Sequence, residues 1–283
     1  MIPIIIPTWN NERTLIECLN SLAESNIPVR YIIVDNGSDK PFENETLSLK
    51  DKVIRLHANT GFTNAVNEGI KEFLENDALC DYCIVLNDDT EVFPDCIAKL
   101  VDAAERDEKI GIVASCPVKS RLQPIERSGS VMADLIGGHT FVSAHPGEVM
   151  YSTFAVQFHG VLLSRKLIQT IGLLDSNLIN FCSDGDYCLR AKVADFQVCY
   201  HNTALLIHKE HKTVERLKDT HLQRDQEYFF YKWLGGLQND LFDRIPLLVN
   251  EFRETELKAQ IGLGLEGKES IVKKFKKQYG LEK

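Results

Sequence analysis

The chain has 283 residues and a net charge of −9, with a sequence pI of about 5.4. This acidity argues against a general nucleic-acid binder, which would carry a basic surface. No apolar run reaches the roughly 18 residues of a membrane span, and residues 1–7 lack the length and basic start of a signal peptide, so we expect a cytoplasmic protein.

The first part of the chain alternates strand and helix patterns. Helical spacing of apolar residues predicts helices over residues 12–25, around residues 66–74, and from Pro94 to about residue 104. Short β-rich or apolar runs predict strands over residues 2–6, 29–34, 53–56, 82–86 and 110–114. This order predicts an α/β fold with a mostly parallel sheet and helices on both faces.

The pattern changes after about residue 117. Residues 118–160 contain Gly, Ser, His and short strand-like pieces such as 139–143. A helix is then predicted over residues 164–171 with a stop at Gly172; another begins near Ser183, and residues 197–207 are strand-like. The rest reads as charged amphipathic helices. We therefore expect an α/β domain over residues 1–215 and a helical C-terminal extension over residues 216–283.

Two adjacent carboxylates follow the apolar run of residues 82–86, namely Asp88 and Asp89. Open α/β sheets bind their ligands at the edge where the strands end. Two negative charges at such an edge are costly unless a positive charge neutralises them. A hard divalent cation that carries substrate phosphates is the natural candidate.

Polar clusters also follow the other early strands. With residues 87–90, they lie at residues 7–10, 35–38 and 59–62. Any one of them is explained equally well as a turn rich in Asn, Asp, Gly and Ser. Their recurrence at the ends of successive strands predicts that they converge on one sheet edge.

In this order and spacing the segments resemble an inverting glycosyltransferase of family 2 with the GT-A fold, rhamnosyltransferase-like. The resemblance covers residues 2–213 and rests on IIPTWNN, IVDNGS, NTGFTNAVN, LNDDTE, SDGDYCLR and the single residue His208. It implies a Rossmann-like sheet and a UDP- or dTDP-linked sugar as donor. It also implies a saccharide or lipid-linked saccharide as acceptor, and Mn²⁺ or Mg²⁺ as cofactor.

The resemblance places the donor at the ends of the first strands. Asp35 would accept a hydrogen bond from the ring N–H of a pyrimidine base, or it could anchor the turn at residues 36–37. Glu12 could equally be an acid favoured by the helix dipole, and Asn64 and Asn67 could tie their helix to the sheet. The start of that helix would offer N–H groups to phosphate. The full implied donor set is Pro7, Thr8, Asn10, Glu12, Asp35, Asn59, Gly61, Phe62, Asn64, Asn87 and Asp88.

The resemblance also implies the metal ligands and the acceptor side. Asp89 would bind the metal and His208 would complete the site, although a histidine at a strand end is as often structural. A nitrogen ligand would favour Mn²⁺ over Mg²⁺. His159 and Gly160 would line the acceptor pocket.

The resemblance places the catalytic base at Asp184. An inverting transfer needs one carboxylate that removes the proton of the acceptor hydroxyl. The spacing of Ser183 and Asp186 predicts a capping box, which would give Asp186 a structural task and leave Asp184 for chemistry. Asp186 and Arg190 are also spaced for an ion pair on one helix face. Relatives often have Glu where this chain has Ser183, which puts the acceptor contacts in question.

Other hypotheses remain open at the sequence level. A non-catalytic module could bind a sugar nucleotide and recruit partners through the C-terminal helices. A nucleotidyltransferase is disfavoured because no Gly-rich basic loop follows the first strand. Lysines at residues 273–277 could rest on the inner face of a membrane or simply be solvated, while Phe229, Phe230 and Trp233 could support docking to the catalytic domain or self-association.

Overall fold

The computed structural model describes residues 1–44, 47–118, 149–153, 155–209, 221–230 and 232–233. Its strands are β1 (Ile2–Thr8), β2 (Val29–Asp35), β3 (Lys52–Arg55), β4 (Tyr82–Leu86), β5 (Thr90–Val92), β6 (Ile110–Val118), β7 (Met150–Ser152), β8 (Gly160–Ser164) and β9 (Gln197–His208). Its helices are α1 (Glu12–Ala23), α2 (Phe62–Asn76), α3 (Cys96–Ala104), α4 (Arg165–Ile171), α5 (Ser183–Val193) and α6 (Gln223–Phe230).

The strands form one nine-stranded mixed sheet in the order β3-β2-β1-β4-β8-β6-β9-β5, with β7 paired to β9. Strands β3, β2, β1 and β4 are parallel, as the alternating pattern predicts. Strand β8 runs antiparallel between β4 and β6, and β6 and β9 are again parallel. The predicted GT-A type sheet is therefore present, with an antiparallel strand inserted at its centre.

Three strands escape the sequence analysis, β5, β7 and β8. Strands β5 and β7 have three residues each, too few to show an alternation, and the five-residue apolar run of β8 does not distinguish strand from helix. The helix bounds agree better: Ser164 caps α4 by accepting a hydrogen bond from the Leu167 N–H at 3.2 Å, and Gly172 follows its end. The strand-like piece at residues 139–143 lies outside the described residues.

Helices cover both faces of the sheet, as expected. Neighbouring residues of β1 divide between the faces because strand side chains alternate: Ile5 packs on the side of α2, α4 and α5, whereas Ile4 and Ile6 pack on the side of α1 and α3. The interior strands are thus buried on both sides. A rigid core holds the strand ends that carry the polar clusters.

The described part of the C-terminal region packs onto this domain. Phe229 and Trp233 are 4% and 2% exposed and belong to the core cluster on the α2, α4 and α5 side. Of the two possibilities for these side chains, docking is therefore the one observed. The expected boundary at residues 215/216 lies outside the described residues and stays a prediction.

The predicted lysine-rich helix and the Phe230 side chain lie outside the described residues. Among the helices that the structure describes, none is both long and apolar enough to cross a membrane.

Candidate active site

The predicted polar clusters meet at one edge of the sheet. Thr8 ends β1 beside Asp35, which ends β2, and Gly160 begins β8 opposite the last residue of β4. On the far side, His208 ends β9 and pairs with Thr90 at the start of β5. This edge therefore brings together side chains from the first and the last strand of the domain.

Asp88 is turned towards β1. Its Oδ2 accepts a hydrogen bond from Thr8 Oγ1 at 2.6 Å, and its Oδ1 accepts one from Asn11 Nδ2 at 3.1 Å. Burial raises the pKa of Asp88 to about 7; the adjacent Asp89 adds to this, and the bond from Thr8 opposes it. Sequence reasoning missed Asn11, which lies at the end of a matched segment but had no expected partner.

Asp89 faces the opposite way, towards β9. Its Oδ1 lies 3.2 Å from His208 Nε2, and its backbone oxygen accepts a hydrogen bond from the Lys209 N–H at 3.0 Å. Asn87 Nδ2 also lies 3.4 Å from His208 Nε2. The two residues expected to bind metal are thus in direct contact, although they are far apart in sequence.

The residues present fit a divalent cation through two protein ligands. A carboxylate oxygen and an imidazole nitrogen suit Mn²⁺, and the side chains of Asp89 and His208 keep 13% and 23% of their exposure. No cluster of three or more His, Cys, Asp or Glu side chains able to hold a metal occurs among the described residues.

A cleft of about 380 Å³ lies beside the end of β1. Asn10 has a φ of +52°, and its Oδ1 accepts a hydrogen bond from the Asp39 N–H at 2.8 Å, which fixes the far wall. The cleft is lined by Thr8, Asn10, Asn11, Glu12, Ser38, Asp39, Lys40, Pro41 and Phe42. The predicted nucleoside-side residues Thr8, Asn10 and Glu12 share this cleft, whereas residues 38–42 were missed because a polar turn has no distinctive motif. Pro7 lies next to Thr8 inside β1.

Asp35 is fully buried beneath that cleft. Its oxygens accept hydrogen bonds from the Ser38 N–H at 2.9 Å and the Phe42 N–H at 3.2 Å, and the Arg55 guanidinium pairs with it. Burial alone would raise the pKa of Asp35, but the hydrogen bonds from Ser38 and Phe42 and the charge of Arg55 lower it overall. Asp35 therefore anchors residues 38–42, the turn role left open by the sequence. Its contact with a base stays a prediction.

Asn59 and Gly61 shape the turn before α2. Asn59 Oδ1 accepts hydrogen bonds from Asn36 Nδ2 at 3.0 Å and from the Gly61 N–H at 2.9 Å. Gly61 has a φ of +86°, and a Cβ added there would lie 2.3 Å from Ile179 Cγ2. The close approach that requires this glycine is therefore made by the protein itself.

The start of α2 departs from the expectation that it offers N–H groups to phosphate. Asn180 Oδ1 accepts from the Phe62 N–H at 2.9 Å, and the Ile179 oxygen accepts from the Thr63 N–H at 3.1 Å. These two donors are already used. The expectation is wrong for Phe62 and Thr63 because a distant segment folds over the helix start.

Asn64 and Asn67 of α2 have protein partners. Asn64 Nδ2 donates to the Thr60 oxygen at 2.9 Å within the same turn, which does not bear on a ligand contact. Asn67 exchanges two hydrogen bonds of 2.9 Å with the backbone of Leu174. Asn67 thus ties its helix to the segment after α4, not to the sheet.

Helix α5 begins differently from the prediction. Cys182, with a φ of +63°, precedes the helix, and among the described contacts no side chain caps it. The capping box of Ser183 and Asp186 is therefore wrong, because Ser183 is already the first helical residue. Asp184 lies in the first turn, partly buried, and its Oδ1 accepts from the Gly185 N–H at 2.8 Å.

Asp186 has a structural role, as expected, but through ion pairs and a hydrogen bond and not through a capping box. It is fully buried, and the predicted pair with Arg190 is present at 3.0 Å between Nε and Oδ2. Its Oδ1 accepts from Trp233 Nε1 at 2.8 Å and lies 2.6 Å from Lys232 Nζ. Of the two acids in this turn, Asp184 is the more accessible.

The expected acceptor residues lie beside the acidic pair. The rings of His159 and His208 stack with centroids 5.2 Å apart and an interplanar angle of 18°. Gly160 is buried, and a Cβ added there would lie 2.3 Å from Leu206 Cδ2 and 2.6 Å from Ser115 Oγ. Internal packing therefore requires a glycine here, and contact of Gly160 with an acceptor stays a prediction.

This mixed sheet with helices on both faces has the fold of GT-A glycosyltransferases. The chain belongs to glycosyl transferase family 2, because the model of that family matches residues 4–172, more than half of the chain.

Individual relatives are more distant. Poly-beta-1,6-N-acetyl-D-glucosamine synthase of Staphylococcus epidermidis is 24% identical over 216 residues, which is 72% of this chain and 48% of that protein. The chain thus spans about half the length of the curated relatives that it matches.

Solved structures share the fold at low identity. One is a mannosyltransferase of Pyrobaculum calidifontis with GDP-Man and Mn²⁺ (TM-score 0.56, 14% identity, 82% of this chain and 63% of that one). Another is GalNAc-T7 with UDP, GalNAc and Mn²⁺ (TM-score 0.63, 14%, 87% and 50%). A third is TarS 1-349 of S. aureus (TM-score 0.54, 14%, 90% and 73%).

Proposed function

We propose that the protein is an inverting, metal-assisted glycosyltransferase that moves a sugar from a nucleoside diphosphate to a hydroxyl group of a saccharide or lipid-linked saccharide. The observation that carries this proposal is the contact between Asp89 and His208 at the sheet edge. The pairing of β5 with β9 sets Asp89 beside His208, so a carboxylate oxygen and an imidazole nitrogen lie together at the end of the sheet. These are two ligand types that Mn²⁺ accepts, and they would suit a cation at this edge.

The nucleoside of the donor would occupy the cleft between the end of β1 and residues 38–42. Its walls supply amide, hydroxyl and ammonium groups suited to a base and a ribose. We favour a UDP- or dTDP-linked donor, with Asp35 as the acceptor for the base N–H. Among the fold neighbours, UDP and GDP-Man are both found, so a GDP-linked sugar is the comparison to test.

Asp89 and His208 would hold Mn²⁺ or Mg²⁺, which when bound supplies positive charge to the departing diphosphate. The Asp88 carboxylate accepts a hydrogen bond from the Thr8 hydroxyl and so links the turn after β4 to β1. This division leaves Asp89 to face the phosphates. His208 completes the pair from the end of β9. That end of the strand would therefore lie next to the donor.

Asp184 would act as the base. It takes the proton of the acceptor hydroxyl while that oxygen bonds to the anomeric carbon and the carbon–oxygen bond to the diphosphate breaks. The proton ends on the Asp184 carboxyl, the electron pair leaves with the nucleoside diphosphate, and the configuration at the anomeric carbon is inverted. The segment just before α5 contacts the start of α2, where Asn180 Oδ1 accepts a hydrogen bond from the Phe62 N–H.

The test is a panel of UDP-, dTDP- and GDP-linked sugars with and without Mn²⁺. A bound donor raises the melting temperature, because saturation at about 100 times Kd stabilises the native state by roughly 2.7 kcal/mol. Release of nucleoside diphosphate in the same samples, abolished by a chelator, would support transfer. Donor binding with no turnover over a broad acceptor panel would overturn it and favour the non-catalytic binding module.

A further inference from the structure

We propose that the docked segment, residues 221–230 and 232–233, is a positioning element for the catalytic base. This inference rests on the proposed function, in which Asp184 is that base. The docked segment makes its polar contacts on both sides of Asp184 in sequence, immediately before α5 and within its first turn. It would then belong to the active-site architecture and not to an appended extension.

On the near side of the base, Asp225 holds the chain that leads into α5. Asp225 is fully buried, and its Oδ2 accepts from the Asn180 N–H at 2.8 Å and from the Phe181 N–H at 3.0 Å. His221 Nδ1 lies 2.7 Å from Asn180 Nδ2. A buried carboxylate that accepts two successive backbone N–H groups fixes the direction of that backbone.

On the far side of the base, the other end of the docked segment contacts Asp186. Trp233 Nε1 donates to its Oδ1 at 2.8 Å, and Lys232 Nζ lies 2.6 Å from the same oxygen. Lys232 also bonds Asp175 at 2.8 Å, and Arg190 pairs with Asp186 at 3.0 Å. The two carboxylates and two cations balance in charge, which suits their burial.

Between these two anchors the backbone passes through Cys182 at a φ of +63°. A left-handed residue other than Gly persists only when its surroundings impose it, and the docked segment supplies contacts on both sides of it. Asn180 links the same turn to the donor side, since its Oδ1 accepts from the Phe62 N–H at 2.9 Å. The orientation of Asp184 relative to the donor is thus set by residues that touch neither substrate.

The test compares Trp233→Phe and Asp225→Asn, which each weaken one anchor, with Lys166→Gln. Lys166 forms an exposed ion pair with Glu108, away from the docked segment. We expect kcat to fall about tenfold or more in the two anchor variants, because small errors in base placement are costly. The KM for the donor should stay within about threefold, since ground-state binding is retained, and Lys166→Gln should match the wild type.

Hydrogen exchange of the peptide covering residues 178–190 supplies a readout that does not depend on activity. Faster exchange there in both anchor variants, with the melting temperature close to that of the wild type, is the expected result. Lys232→Arg should keep kcat and Lys232→Met should lose it, which preserves the comparison if Asp225→Asn fails to fold.

Wild-type kcat in folded Trp233→Phe and in Lys232→Met would overturn the inference. If the wild type processes no sugar nucleotide at all, the proposed function fails instead. Exchange then decides the positioning role alone: unchanged protection of residues 178–190 in Trp233→Phe removes it, and increased exchange supports it.

Discussion

Adjacent residues of one type take different roles at this sheet edge. Asp88 accepts hydrogen bonds from Thr8 and Asn11 and is held against β1, whereas Asp89 turns to His208 on β9. The two acids occupy the turn between β4 and β5, and the turn directs one side chain to each side of the cleft. Substituting them should therefore have separable effects.

Asp89→Asn should abolish the dependence of activity on the metal. The amide keeps the shape but loses the charge that would bind a cation, so we expect kcat/KM to fall by about 10²-fold or more and added Mn²⁺ to give no recovery. The control is Asp95→Asn, whose carboxylate pairs with Lys99 on the surface. A Mn²⁺ titration of donor turnover is the measurement, and an unchanged Mn²⁺ response in Asp89→Asn would contradict the assignment.

Asp184→Asn should separate chemistry from donor binding. Loss of a general base lowers kcat by about 10²- to 10⁴-fold, while binding of nucleoside diphosphate, followed by calorimetry, should be unaffected. Asp195→Asn, which alters an exposed ion pair with Lys109, is the matched control. Full activity in Asp184→Asn would move the base to another residue.

At the scale of elements, two glycines share a left-handed backbone but differ in their surroundings. Gly61 and Gly172 both have a positive φ, +86° and +76° respectively. At Gly61 the Cβ position is occupied by Ile179, whereas at Gly172 nothing described lies within 4 Å of it. The pair therefore separates the cost of backbone conformation from the cost of steric overlap.

We expect Gly172→Ala to cost about 1 kcal/mol of unfolding free energy, from the left-handed backbone alone. Gly61→Ala should cost about 1–3 kcal/mol more, because Ile179 must move and the hydrogen bond from the Thr63 N–H moves with it. Urea unfolding of both variants measures the difference. Equal losses would mean that the contact between α2 and residues 179–180 is looser than the structure has it.

At the scale of the whole molecule, the docked segment attaches the C-terminal region to the domain partly through charge. Asp175 accepts from Tyr228 and Lys232 at 3.0 and 2.8 Å. Burial alone would raise the pKa of Asp175, but hydrogen bonding and the charge of Lys232 lower it to about 2. A carboxyl with a depressed folded pKa stabilises the fold above its unfolded pKa and ceases to do so as pH falls through its folded pKa.

Stability conferred by Asp175 should therefore be present at pH 7 and be lost between about pH 4 and pH 2. After allowance for solvent screening, we expect Asp175→Asn to be about 1–2 kcal/mol less stable than the wild type at pH 7. The gap should close as the pH approaches 2. Denaturant unfolding at a series of pH values checks this, and a gap that is constant with pH would show that the charge of Asp175 is not responsible.

The sequence alone determined the alternation of strands and helices, the parallel half of the sheet and the residues at its strand ends. These follow from local periodicity and from the rule that parallel strands end at one edge. It failed at Ser183 and Asp186, where it predicted a cap and the backbone instead enters α5 through a left-handed Cys182. It also did not indicate that Leu206 and Ser115 occupy the space where a Cβ at position 160 would lie.

Only the tertiary structure decided which side chains meet. The bond of Trp233 to Asp186 and that of the Asn180 N–H to Asp225 join residues that the chain separates widely. Periodicity reports which face of an element is buried, but it carries no information on the partner across that face. The partner is chosen by strand order and helix packing, which place β9 and the docked segment beside residues that come before them in sequence.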